Sequence, residues 1–270
     1  MSAGQLDLDG GRLAYEAAGS GPSIVFIHGF ALDMRMWDAQ FAHFAVTHRV
    51  VRYDLRGFGR SSLPAGTYDH CADLAALLDH LGIERALLVG LSLGANIALR
   101  FAKEHPARVT GVVLASSGLV GHVWQEERPP DAARAVGKAQ GVEAARAFWG
   151  GHRLFSSLDA YPQAKASVQQ QLAGYSGWHW REDDRQAPAA AIIDRLESIE
   201  APALVLSGGL DVAGYRDIAD VLARRLPNAR LVRYDDCGHM LTMERPDAVN
   251  AEIAAFAAQV LKSSETGVTP

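Results

Sequence analysis

The chain has 270 residues, 49% of them apolar and 21% charged, with a formal net charge of −5. That length buries a large core and suits one domain carrying an insertion better than two independent domains. A mildly acidic chain offers no field for nucleic acid or an anionic membrane, and no apolar run approaches the length of a membrane span. The two cysteines, Cys71 and Cys237, do not make a disulfide framework, and the first residues lack the basic start and apolar run of a signal peptide. A reducing, cytoplasmic setting is therefore expected.

Leu6 and Leu8 alternate with Asp7 and Asp9, and Leu13, Tyr15 and Ala17 alternate after Gly10-Gly11, which predicts a hairpin with a two-residue glycine turn. The run Ser23-Ile24-Val25-Phe26-Ile27 suits a strand buried on both faces and ends in His28-Gly29-Phe30. A second run, Val50-Val51-Arg52-Tyr53, ends in Asp54-Leu55-Arg56-Gly57-Phe58-Gly59-Arg60-Ser61, with a short helix expected between them over 36–44. Leu74, Leu77, Leu78 and Leu81 mark one helical face, with Thr67 or Asp69 as N-cap and Gly82 as the stop. The apolar run Ala86-Leu87-Leu88-Val89 then meets Gly90-Leu91-Ser92-Leu93-Gly94-Ala95, and a helical pattern follows as far as His105-Pro106. A strand turning abruptly into a helix leaves no room for side chains two positions either side of the serine, which Gly90 and Gly94 satisfy.

Another buried strand is expected over 109–115, and strands alternating with helices predict a parallel sheet covered on both faces, with reactive groups at the carboxyl ends of its strands. From about Gly118 the pattern changes. Pro129-Pro130-Asp131 opens an alanine-rich helical stretch to about Trp149, and another helical piece is expected over 161–172. Trp124, Trp149, Trp178 and Trp180 fall here and suggest an aromatic roof over a site, so residues 118–195 are expected to form a helical cap between core segments 1–117 and 196–270. The core resumes with Ala203-Leu204-Val205-Leu206 and Ser207-Gly208-Gly209-Leu210-Asp211. A helix over 216–226, a last strand over 231–234 and Asp235-Asp236-Cys237-Gly238-His239-Met240 follow. Pro246 opens a final helix with Val249, Ile253, Phe256 and Val260 on its apolar face, and the polar tail from Ser263 is expected to fray.

Gly90-Leu91-Ser92-Leu93-Gly94 closely resembles the nucleophile elbow, G-x-S-x-G, of the α/β-hydrolases. The Asp54–Ser61 segment matches that family's D-x-R-G-x-G-x-S loop, and Gly238-His239 followed by Glu244-Arg245-Pro246 matches its C-terminal pattern. The resemblance runs from about residue 10 to 260 and weakens through the cap. It implies the α/β-hydrolase fold, a mostly parallel sheet with helices on both faces and an inserted cap. A serine hydroxyl needs a base, and the base needs a carboxylate to hold its tautomer. The family's order of serine, acid and histidine implies Ser92, Asp211 and His239. Asp217, Asp235 and Asp236 are nearby carboxylates, but the first falls inside a predicted helix and the other two are too close to His239 in sequence. The resemblance assigns the oxyanion-hole N–H groups to the backbones of Phe30 and Leu93. It leaves His28, Asp54 and Arg56 as structural loop residues.

No nucleotide-binding loop, H-E-x-x-H or zinc spacing is present, and the implied chemistry needs no cofactor or metal. Leu91 before the serine is unlike the Gly-Asn-Ser of carbon–carbon bond hydrolases and closer to carboxylesterases, enol-lactone hydrolases and cofactor-free perhydrolases. The expected reaction is hydrolysis of a small carboxylic ester or lactone with an apolar part, through an acyl-serine intermediate. Carbon–carbon cleavage or perhydrolysis on the same three residues, and a slow ligand-binding receptor on this scaffold, remain alternatives.

Overall fold

The computed structural model describes residues 1–265, with side chains to residue 261. Strands β1 (Ser2–Leu8) and β2 (Gly11–Ala18) form the expected hairpin. Its turn is Asp9-Gly10 rather than Gly10-Gly11, because Leu8 pairs with Gly11 and the left-handed position, φ 67°, falls on Gly10. Six further strands follow: β3 (Ser23–Ile27), β4 (Arg49–Tyr53), β5 (Ala86–Leu91), β6 (Val109–Ala115), β7 (Ala203–Gly208) and β8 (Ala229–Tyr234). They join one sheet in the order β1-β2-β4-β3-β5-β6-β7-β8. Strand β2 runs antiparallel to β1 and β4, and every other pairing is parallel.

Every residue of β5, β6 and β7 is buried, so both faces of the central sheet are covered, as uninterrupted apolar runs require. Before the elbow come α1 (Asp38–Phe44) and α2 (His70–His80). The first is preceded by a 3₁₀ turn at Met34–Trp37, which Asp33 caps through its side chain. Asp69 caps α2 by accepting from the amides of Cys71 (2.7 Å) and Ala72 (3.2 Å), and Gly82 stops it at φ 61°. Helix α3 (Leu93–Glu104) follows the elbow and packs its apolar side on the sheet.

Between β6 and β7 the long helical stretch breaks in two, α4 (Pro129–Gln140) and α5 (Val142–Gly150). The break is Gly141, whose φ of 91° leaves the helical region. Helices α6 (Pro162–Gly174) and α7 (Trp178–Arg181) complete this segment. Helix α8 (Ala213–Arg225) begins three residues before the expected start, and α9 (Leu241–Glu244) and α10 (Pro246–Glu265) close the chain. Residues 263–265 of the expected frayed tail belong to α10, and 266–270 lie outside the described residues. No helix among the described residues is long and apolar enough to cross a membrane.

Candidate functional site

At the end of β5 the backbone turns through Ser92, held at φ 55° and ψ −107°. A side chain there costs of order 1–3 kcal/mol and persists only where its surroundings impose it. They do so here through hydrogen bonds. The Ser92 amide donates to the Ala115 carbonyl at 2.9 Å, and the Ser92 carbonyl accepts from Asn96 (3.0 Å) and Gly118 (3.1 Å). A Cβ on Gly94 would collide with the Ile27 carbonyl, and one on Gly90 with the Gly94 backbone. The two glycines let β5, α3 and the end of β3 meet at the serine.

His239 lies beyond β8 and Asp211 beyond β7. They are joined by a hydrogen bond of 2.8 Å from Nδ1 of the imidazole to Oδ2 of the carboxylate, both side chains buried. The other carboxylate oxygen of Asp211 accepts from the amide of Val212 at 2.7 Å, which anchors it at the start of α8. With Nδ1–H committed to Asp211, Nε2 is the lone-pair nitrogen of the neutral ring. Glu244 accepts from the Gly238 amide at 2.7 Å and from the Ser157 hydroxyl at 2.8 Å, tying the histidine loop to the segment between β6 and β7. Burial pushes its carboxyl up.

Ser92 Oγ donates to the hydroxyl of Tyr215, on α8, at 3.5 Å. The Tyr215 ring lies 4.3 Å from the imidazole of His239, and burial pushes its phenol up to about 12. Sequence reasoning missed Tyr215, which stands on a helix with no motif around it. The backbone N–H groups of Phe30 and Leu93 have no protein acceptor among the described residues. His28 is fully committed to its loop, with Nε2 accepting from Leu55 at 2.9 Å and Nδ1 bonded to the Gly29 carbonyl at 2.8 Å. Asp54 accepts from the amides of Met34 and Arg60, while Arg56 pairs with Asp73 and reaches the Asp9 carbonyl. These three residues tie loops together, and the site is built over them.

Ser92 stands between two cavities. A chamber of about 200 Å³ lies on one side, walled by Phe30, Leu93, Trp124 and several polar residues of α2, α3 and α7 and their flanking loops. A slot of about 10 Å³ lies on the other and includes His239, Met240, Trp149 and Phe155. Ser92, Phe30 and Tyr215 line both. Of the four tryptophans read as a roof, Trp124 faces the chamber and Trp149 the slot. Trp178 and Trp180 line neither: both are buried in packing, the first against His179 and the second against Tyr175 and Phe30. No group of three or more His, Cys, Asp or Glu side chains among the described residues is placed to hold a metal ion.

The family model described as the α/β hydrolase fold matches residues 22–246. A non-heme chloroperoxidase of Streptomyces lividans is 30% identical, over 92% of this chain and 96% of its own length. The 3-oxoadipate enol-lactonase 2 of Acinetobacter baylyi is 26% identical over 87% of this chain and 88% of its own. Among solved structures, a thermophilic esterase from Thermogutta terrifontis superimposes with a TM-score of 0.83 at 27% identity, over 96% of this chain and 99% of its own.

Proposed function

We propose, from the premise that this chain belongs to the α/β-hydrolase family, that it hydrolyses a small carboxylic ester or lactone through an acyl-serine intermediate. The observation that carries this reading is the buried Asp211–His239 hydrogen bond beside a serine held at a strained elbow. The esterase and lactonase relatives support the same reaction class.

In the proposed reaction Ser92 Oγ leaves Tyr215, gives its proton to Nε2 of His239 and attacks the carbonyl carbon. Asp211 holds the tautomer and stabilises the imidazolium. The N–H groups of Phe30 and Leu93 receive the oxyanion, a contribution of roughly 3 kcal/mol per donor in such sites. The imidazolium then protonates the leaving oxygen, and the same base activates the water that releases the acid. Because His239 lines the slot and not the chamber, the leaving group departs on the slot side and the acyl group occupies the chamber. Residues 118–195 act as the cap that closes both cavities. Cys71 and Cys237, free and buried, suit a cytoplasmic enzyme.

Steady-state hydrolysis of short p-nitrophenyl esters tests this with Ser92→Ala beside the wild type. Loss of the nucleophile is expected to lower kcat by several orders of magnitude, up to about 10⁶. Equal rates in the two proteins would remove Ser92 from the chemistry. The chloroperoxidase relative favours one second reading, in which hydrogen peroxide replaces water at the acyl-serine and the product is a peracid. Product analysis with peroxide present separates the two.

A further inference from the structure

The chamber beside Ser92 has an unusual wall for an ester pocket. Its lining includes the polar side chains of Tyr68, His70, Asn96, His179, Asp184 and Gln186. Part of this set is closed on itself. The Tyr175 hydroxyl accepts from the His179 amide at 3.2 Å and lies 2.7 Å from Nδ1 of that ring. Tyr68 donates to Asp184 at 2.8 Å, so its oxygen accepts from Nε2–H of His179 at 3.4 Å and Nδ1 is left to accept from Tyr175. Phe58 stacks on His179 at 4.3 Å, fixing the ring in plane. Every polar atom of the His179 ring is satisfied.

His70 and Asn96 are not. His70 opens α2 with 1% of its surface exposed; its Nδ1 is enclosed without a hydrogen-bond partner, and Nε2, also unpartnered among the described residues, is the ring nitrogen that keeps accessible surface. Asn96 lies one helical turn beyond Ser92, and its buried Oδ1 is likewise unpartnered. The two belong to one neighbourhood, since the thiol of Cys71, next to His70, touches the carbonyl of Ile97, next to Asn96. Nδ1 of His70 and Oδ1 of Asn96 are closed off, so the polar atoms these residues present to the chamber are Nε2 and Nδ2, which have no protein partner among the described residues and leave two hydrogen-bonding positions for a bound group.

Charge decides what that is. The charged side chains lining the chamber, Asp184 and Arg128, are both already engaged, Asp184 by the Tyr68 hydroxyl at 2.8 Å and Arg128 by Asp131 at 2.6 Å. No other carboxylate, lysine or arginine among the described residues lines it. Burial pushes His70 down to about 3, so the ring is neutral at physiological pH, offering one N–H and one lone pair. A carboxylate or ammonium group would enter with nothing to neutralise it, and a plain alkyl chain would leave both partners unsatisfied.

We infer that His70 and Asn96 form a subsite for an uncharged hydrogen-bonding group, a ketone, hydroxyl or amide, carried on the acyl part of the substrate. This rests on the ester-hydrolase reading and narrows its substrate to oxo-, hydroxy- or amido-acyl esters and lactones. A site that hydrogen-bonds a substrate group discriminates strongly against the analogue lacking it.

The test compares methyl esters of five- to eight-carbon acids with the same esters bearing a ketone one carbon from the chain end. At one chain length or more, wild-type kcat/KM is expected to favour the oxo ester by at least about tenfold. His70→Phe keeps a ring of similar size and is expected to erase that preference while changing the plain ester less than about threefold. Asn96→Leu, on the neighbouring helix, gives the same reading if His70→Phe does not fold. No preference at any chain length, or a preference surviving in the folded variants, overturns the subsite. Binding of both ester series to Ser92→Ala, followed by calorimetry, reads the subsite without turnover. Selective binding there with no wild-type hydrolysis would uphold the subsite and sink ester hydrolysis instead.

Discussion

Tyr215 shows how much a single side chain changes at the reacting atom. Its hydroxyl sits 3.5 Å from Ser92 Oγ, while its ring packs against the imidazole of His239 with centroids 4.3 Å apart. With its phenol pushed up to about 12, the group stays neutral and able to donate. In the proposed reaction, once Ser92 turns to its base, that donor is free to bond the alkoxy oxygen of the adduct. Tyr215→Phe is expected to lower kcat/KM for methyl esters by roughly tenfold, the worth of one lost hydrogen bond, and for p-nitrophenyl esters by less. Equal losses on the two substrate types would show that the phenol does not reach the leaving oxygen. Ser92, Asp211 and His239 could be proposed from the sequence because chemistry limits which residue types serve and a parallel sheet limits where they stand. Tyr215, His70 and Asn96 were not. Each occupies an ordinary helix position whose meaning comes from neighbours distant in sequence.

The strand–turn–helix unit is where sequence and structure agree best, because sterics leave it little choice. Gly94→Ala places a methyl against the Ile27 carbonyl and is expected to cost at least about 2 kcal/mol, seen as a lower urea midpoint. An unchanged midpoint would mean that β3 and α3 can separate without penalty. The buried strands were equally readable, since a run such as Val109–Ala115 has no polar face to show water. Between β6 and β7 the reading was poorer. The alanine-rich stretch carries helix propensity straight through Gly141, and only the backbone reversal there separates α4 from α5. The start of α8 was displaced for a related reason: Asp211, assigned to His239, also receives the Val212 amide at the head of that helix.

Across the whole molecule, burial of neutral imidazoles makes stability depend on acid. His28, His70 and His179 are all pushed down by burial, His70 to about 3 and His179 to about 4. Below about pH 6.5 the unfolded chain takes up protons at these rings that the folded chain refuses, so stability falls as pH falls. Asp54, Asp73 and Glu244, pushed up by burial, act in the opposite sense, so the difference between two proteins isolates one ring. His70→Phe is expected to lose less stability than the wild type between pH 7 and 5, by about 2 kcal/mol. Parallel urea melts at the two pH values measure it, and identical losses would show that His70 is protonated in the fold.

Phe30 joins these scales. Its ring is wedged among Trp149, Tyr175, His179 and Trp180, all from the segment between β6 and β7, while its amide, without a protein acceptor among the described residues, is the proposed oxyanion donor. One residue thus serves as both gauge and tool. A ligand that fits beneath those rings leaves the amide aimed. A bulkier one levers the ring outward and misaligns the donor. On the proposed mechanism, selection by size would then be written into the rate of bond breaking as well as the strength of binding, and an oversized substrate would be held without being cut.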